Sequence, residues 1–124
     1  MSKRILIVDD EPNIVLSLEF LMKREGYDPT IASDGEAALK SVAAEPPDLV
    51  ILDVMLPKMN GFDVCRHVKG DPRWRDIKIL MLTAKGRDTE MAKGLGLGAD
   101  AYVTKPFSTK DLVAQINQLL GSAT

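Results

Sequence analysis

The sequence predicts an α/β fold, a parallel β-sheet with helices on both faces. Three observations predict it. Short runs rich in Ile, Leu and Val recur along the chain, and RILIV (4–8) and LVILDV (49–54) hardly alternate in polarity, as expected of strands covered on both faces. Between the runs lie segments whose apolar residues fall three and four apart. Pro and Gly mark the boundaries. Strand–helix alternation repeated in this way is the pattern of a parallel sheet, and right-handed crossovers leave few topologies. The 124 residues suit a single domain, 1–124, with a sizeable core.

The elements follow in order. Arg4–Val8 is the first strand. Pro12 is a good first-turn residue, and Ile14, Val15, Leu18, Leu21 and Met22 form one face of a helix that stops near Gly26. Tyr27–Ala32 is a weaker strand. Ser33 and Glu36 have capping-box spacing ahead of Ala37, Ala38 and Leu39, and Pro46 and Pro47 end that helix. Leu49–Val54 is the third strand, left through a tight loop at Pro57, Asn60 and Gly61. A helix over Phe62–Lys69, a strand over Ile77–Leu82 and a helix over 88–97 come next. Gly94 and Gly96 weaken that fourth helix, at roughly 1 kcal/mol each against Ala. Ala101–Thr104 is the fifth strand. Ser108–Leu120 is the fifth helix, with Leu112, Val113, Ile116, Leu119 and Leu120 on its apolar face.

Composition narrows the function. Hydrophobic residues are 45% and charged residues 27%, ordinary for a soluble globular protein. The net charge of −2 supplies no basic field for nucleic acid or an anionic membrane, so neither is expected as a partner. Cys65 is the only cysteine, which excludes an intrachain disulfide and a thiolate metal site. In MSKRILIVDD, acids interrupt the apolar run at once. That pattern is neither a signal peptide nor a membrane span, and a cytoplasmic location is expected.

The chemistry concentrates where strands end. In open α/β sheets, ligands bind beyond the carboxyl ends of the strands. Asp9 and Asp10 end the first strand, Asp53 lies in the third, Thr83 ends the fourth and Lys105 the fifth. Parallel strands bring these side chains to one edge. Unit charges about 4 Å apart interact by roughly 4 kcal/mol at an effective dielectric near 20. Clustered acids therefore raise a pKa or demand a cation. Mg²⁺ suits carboxylate and carbonyl oxygens, and Lys105 adds a second positive charge. Asp53 can then act as a nucleophile toward phosphorus, giving an acyl phosphate. Mg²⁺ and Lys105 would offset the charge on the phosphoryl oxygens, and the Thr83 hydroxyl would donate to one of them.

The motifs ILIVDDEP, DLVILDVMLPKMNGFDV, ILMLTA and GADAYVTKPFS together resemble the receiver domain of bacterial two-component response regulators, the family of the chemotaxis response regulator. The resemblance runs from about Lys3 to Leu120. It implies a flavodoxin-like, doubly wound (βα)5 fold with strand order 2-1-3-4-5. It implies phosphorylation of Asp53 by a histidine kinase or phosphotransfer protein, with no turnover of outside substrates. It places Mg²⁺, for which Mn²⁺ can substitute, on Asp10, Asp53 and the backbone carbonyl of Met55, with Asp9 acting through a metal-bound water. Thr83 and Lys105 contact the phosphoryl group, Ala84 is the small residue beside it, and the Lys105–Pro106 bond is cis. Thr83 and Tyr102 form the switch, which reshapes the surface of the fourth helix, fifth strand and fifth helix. Met55 and Lys85 stand two residues after the aspartate and the threonine, where the family tunes hydrolysis. Neither is an acid or amide, so slow loss of phosphate is expected. Glu11 is expected to make no direct contact with metal.

An unnamed downstream target and a phosphorylation-dependent dimer complete the expected partners. Only GSAT follows the fifth helix, which leaves open a stand-alone receiver or the receiver part of a longer, DNA-binding regulator. Two other functions fit less well. A haloacid-dehalogenase-like aspartyl phosphatase wants an acid where Met55 stands. A flavodoxin-type flavin carrier wants a polar, uncharged loop where DDEP would repel the phosphate. His67 is expected on the surface and Cys65 in or near the core. Trp74 is expected in a loop, against the sheet edge or facing a partner. Arg73, Arg75 and Arg87 are expected as solvated charges.

Overall fold

The computed structural model describes residues 3–56, 59–84, 96 and 98–121. They form β1 (Arg4–Val8), α1 (Pro12–Arg24), β2 (Asp28–Ala32), α2 (Gly35–Ala44), β3 (Leu49–Asp53), α3 (Gly61–Gly70), β4 (Lys78–Ala84), β5 (Ala101–Lys105) and a C-terminal helix, α4 (Thr109–Leu119). The strands make one parallel sheet in the order β2-β1-β3-β4-β5. This is the flavodoxin-like order that the resemblance implied.

The unalternating runs have a simple cause. Along β1, Leu6 and Val8 join Val50, Leu52, Ile79 and Met81 under α2 and α3. Ile5 and Ile7 point the other way and join Leu49, Ile51, Leu80 and Leu82 under α1 and α4. Successive side chains serve opposite layers, so every position from Ile5 to Val8 must be apolar. Burying one such side chain contributes roughly 1.5–3 kcal/mol. β1 from Ile5 and β3 throughout are therefore anchored, and charged groups can crowd at their tips without moving them.

The helix starts differ in one place from expectation. α2 is capped by Asp34, whose Oδ1 accepts from the Ala37 N–H at 2.8 Å, and not by Ser33. A carboxylate there also meets the positive end of the helix dipole. Asn60 caps α3 and Ser108 caps α4 in the same manner. β4 extends two residues past its expected end, because Thr83 and Ala84 keep pairing with Thr104 and Lys105. Apart from Gly96, the expected helix over 88–97, Gly94 included, lies outside the described residues, as do Pro57, Lys85 and Arg87.

The loop after β3 is tight for a steric reason. The Gly61 N–H donates to the Val54 carbonyl at 2.9 Å. A Cβ on Gly61 would lie 2.3 Å from the Asp53 carbonyl oxygen, so only glycine lets α3 begin against the backbone of Asp53.

Two polar ties were not visible in the sequence. Lys69, in α3, reaches Asp100 Oδ2 at 2.8 Å and donates to the carbonyls of Ile77 and Arg75. Asp100 also accepts from the Ile79 N–H, so the entry to β5 is tied to the end of α3. On the other face, the Tyr27 hydroxyl donates to Asn117 Oδ1 within the core. Cys65 is fully buried, and burial pushes its thiol up to about 11, which makes it inert at neutral pH. His67 is exposed. Trp74 packs against the layer under α2 and α3. Arg73 is more than a solvated charge, since it pairs with Asp71 and lies 4.5 Å over the Trp74 ring. No described helix is long and apolar enough to cross a membrane.

Candidate functional site

The strand ends do converge. β1 delivers Asp9, which is 1% exposed, and the exposed Asp10. β3 ends on Asp53, which is 4% exposed, and β4 carries the buried Thr83. β5 ends on Lys105, paired in the ladder with Ala84. Asp53 pairs with Leu82, one residue before Thr83. The Lys105–Pro106 bond is cis, as the resemblance implied.

Lys105 sits at the centre of the charge. Its Nζ lies 3.0 Å from Asp9 Oδ2, 3.1 Å from Glu11 Oε1 and 3.5 Å from Asp53 Oδ2. Backbone amides fix the other oxygens. The Glu11 N–H donates to Asp9 Oδ1 at 2.9 Å, and the Met55 N–H donates to Asp53 Oδ1 at 3.2 Å. Burial, followed by repulsion from Asp9, raises the Asp53 carboxyl to about 6, against the pull of Lys105 and the Met55 amide. For Lys105, burial works against the charged form. The hydrogen bond to Asp9 and the neighbouring Asp53 and Glu11 outweigh it, so its pKa rises and it stays charged at neutral pH.

One lysine does not balance this cluster. Asp9, Asp10 and Asp53 each place a carboxylate oxygen within 4.8 Å of the others. Asp9 Oδ2 is buried, and Lys105 Nζ, 3.0 Å away, is the one cation in contact with it among the described residues. Hard oxygen donors and surplus negative charge fit a small divalent cation. The acids can hold a metal ion. An open cleft of about 320 Å³, lined by Asp10, Glu11, Asp53, Met55 and Lys105, leads to them.

Most of the expected site is thus brought together: Asp9, Asp10, Asp53, the Met55 backbone, Thr83 at the same edge, and Lys105. Tyr102 is partly buried and packs against the layer under α2 and α3. Sequence reasoning missed the contact between Glu11 and Lys105, which are 94 residues apart. The available signal was three acids in a row facing a single lysine.

A sheet of this order with an acid cluster and a lysine at its carboxyl edge defines a class, and the chain belongs to the response regulator receiver domain family, whose pattern matches residues 5–117. It is the receiver domain of a two-component response regulator. Among its relatives is the alkaline phosphatase synthesis transcriptional regulatory protein PhoP of Bacillus subtilis (strain 168), 48% identical over 120 residues. That match takes in 97% of this chain and 49% of PhoP, so the chain spans about half the length of that relative. Its structure is similar to that of a response regulator from Chloroflexus aurantiacus J-10-fl, with a TM-score of 0.94 and 35% identity over 98% of this chain and 99% of that one. It is also similar to the chemotaxis response regulator CheY4 of Vibrio cholerae, with a TM-score of 0.90 and 28% identity over 96% and 99% of the two chains. Membership of this family does not favour the phosphatase reading.

Proposed function

We propose that Asp53 accepts a phosphoryl group from a phosphohistidine on a histidine kinase or phosphotransfer protein, in a Mg²⁺-dependent reaction that the chain catalyses on itself. The observation that carries this reading is the Asp53 carboxylate at the floor of an open cleft, with Lys105 at 3.5 Å and two further acids beside it. A carboxylate oxygen of Asp53 bonds to phosphorus. The phosphorus–nitrogen bond breaks, and its electron pair goes to the imidazole nitrogen, which takes up a proton. Lys105 and the Thr83 hydroxyl stabilise the phosphoryl oxygens, and the residue that follows Thr83, Ala84, is small. Asp10, Asp53 and the Met55 carbonyl, with Asp9 through a water, would hold Mg²⁺ or Mn²⁺, which would supply further charge neutralisation. Neither Met55 nor Lys85 is an acid or amide that would position a water for hydrolysis, so the acyl phosphate decays slowly.

Thr83 and Tyr102 then carry the signal to the surface around β5 and α4. Moving a population from mostly inactive to mostly active takes about 5.5 kcal/mol. A few charge-assisted hydrogen bonds at about 1.5–3 kcal/mol each can supply that. The half-length match to a transcriptional regulatory protein supports a longer regulator that binds DNA through another domain, with 1–124 as the receiver unit. In this reading the regulator is cytoplasmic and forms a dimer on phosphorylation. The acidic balance of this domain argues against its touching DNA itself.

Beryllofluoride, a phosphoryl mimic, tests the site. With Mg²⁺ it should give a slowly exchanging second set of backbone NMR signals around Asp53, Thr83 and Lys105. EDTA or Asp53→Asn should abolish that set. Signals that persist in the Asp53→Asn variant would overturn the assignment.

A further inference from the structure

We propose that Glu11 is a positioning residue that competes with the incoming phosphoryl group for Lys105, an inference that rests on phosphoryl transfer to Asp53. The three carboxylates around Lys105 are not equivalent. Asp9 and Asp53 are buried, and each is held by a backbone N–H. The Glu11 side chain is 60% exposed and lies at the rim of the cleft, 3.1 Å from Lys105 Nζ. Glu11 is also the N-cap residue of α1, yet its side chain makes no capping hydrogen bond. Its carboxylate is turned to the lysine instead of the helix end.

Glu11 is therefore the solvent-side tie on a lysine whose side chain is only 18% exposed. When a phosphoryl group enters the cleft, Lys105 must turn to it, and the contact with Glu11 is the one that can open without disturbing the buried layer. Exposed ion pairs are weak, so the tie should slow phosphorylation modestly, by roughly two- to five-fold.

The test measures the rate of phosphorylation of the full chain by acetyl phosphate with Mg²⁺. It compares the wild type, Glu11→Gln and Glu11→Asp. A parallel measurement follows hydrogen exchange of the Lys105 ammonium protons by NMR in metal-free protein. Glu11→Gln should be labelled roughly two- to five-fold faster, and its lysine protons should exchange faster. Glu11→Asp keeps the charge but shortens the reach, so it should behave like Glu11→Gln in both. If Glu11→Asp instead matches wild type while Glu11→Gln is faster, charge at the rim is responsible and the positioning role is overturned. Equal rates in all three proteins, or unchanged exchange at Lys105, also overturn it. A wild-type chain that takes no label speaks against the phosphoacceptor reading itself.

Discussion

Replacing Asp53 by Asn should make the metal-free protein more stable at neutral pH. Burial and the neighbouring Asp9 raise the Asp53 carboxyl from 3.8 to about 6 in the folded state. A group that holds its proton more tightly when folded makes folding take up a proton. Stability is then greatest below about pH 4, falls as the pH rises through 4 to 6, and is level above that. At about 1.36 kcal/mol per pKa unit, the ionised Asp53 costs at most about 3 kcal/mol. Asparagine removes this cost and also removes one partner of Lys105, leaving a net gain of roughly 1–3 kcal/mol. For a domain of this size that is a rise in Tm of roughly 4–12 °C. The gap should close below pH 4. Mg²⁺ should raise the Tm of the wild type more than that of the variant, because a ligand stabilises only the form it binds. Thermal unfolding in EDTA from pH 3.5 to pH 8 measures this. A variant no more stable than wild type at pH 7.5 would contradict the account of the cluster.

Lys105→Met should do the opposite. It leaves Asp9, at 1% exposure, with a buried charge and no cation in contact among the described residues. Removing one partner of a buried ion pair costs about 3–5 kcal/mol. Lys105 is 18% exposed, so the lower end, about 3 kcal/mol, is expected in metal-free protein at pH 7.5. Acid should shrink the deficit by protonating Asp53, and Mg²⁺ should recover part of it. Asp9→Asn in the Lys105→Met background should restore most of the loss, and the coupling can be read from a double-mutant cycle. Urea unfolding of the four proteins in EDTA supplies the numbers. Full stability of Lys105→Met without metal would mean that the lysine does not offset the acids.

How much was legible in the sequence depended on range. β1 and β3 were readable because both sheet faces are covered and every position had to be apolar. Asp53 stood out for the same reason, as a charge inside LVILDV. The cap of α2 was misplaced by one residue because Ser33 and Asp34 both suit an N-cap, and only the backbone path shows which oxygen meets the Ala37 N–H. β4 seemed to end early because Thr83 and Ala84 are not strongly apolar. Their place in the strand is decided by the ladder with β5. The acids and Lys105 could be gathered by the rule that strand ends of a parallel sheet share an edge. The partner that each oxygen meets could not be read, since Glu11 and Lys105, or Lys69 and Asp100, meet only once the chain has closed. The stacking of Arg73 on Trp74 was hidden for another reason, being set by the path of a loop that carries no periodic signal.

The central claim is that strand ends converge on Asp53 to make it the phosphoacceptor of a metal-dependent site. Incubation with acetyl phosphate and Mg²⁺, followed by peptide mapping in a mass spectrometer, tests it most directly. The account predicts one added phosphoryl group on the peptide that contains Asp53, released by hydroxylamine and missing when EDTA replaces Mg²⁺. A label on Asp9, Asp10 or any other residue, or labelling of Asp53 that proceeds equally well in EDTA, would contradict it.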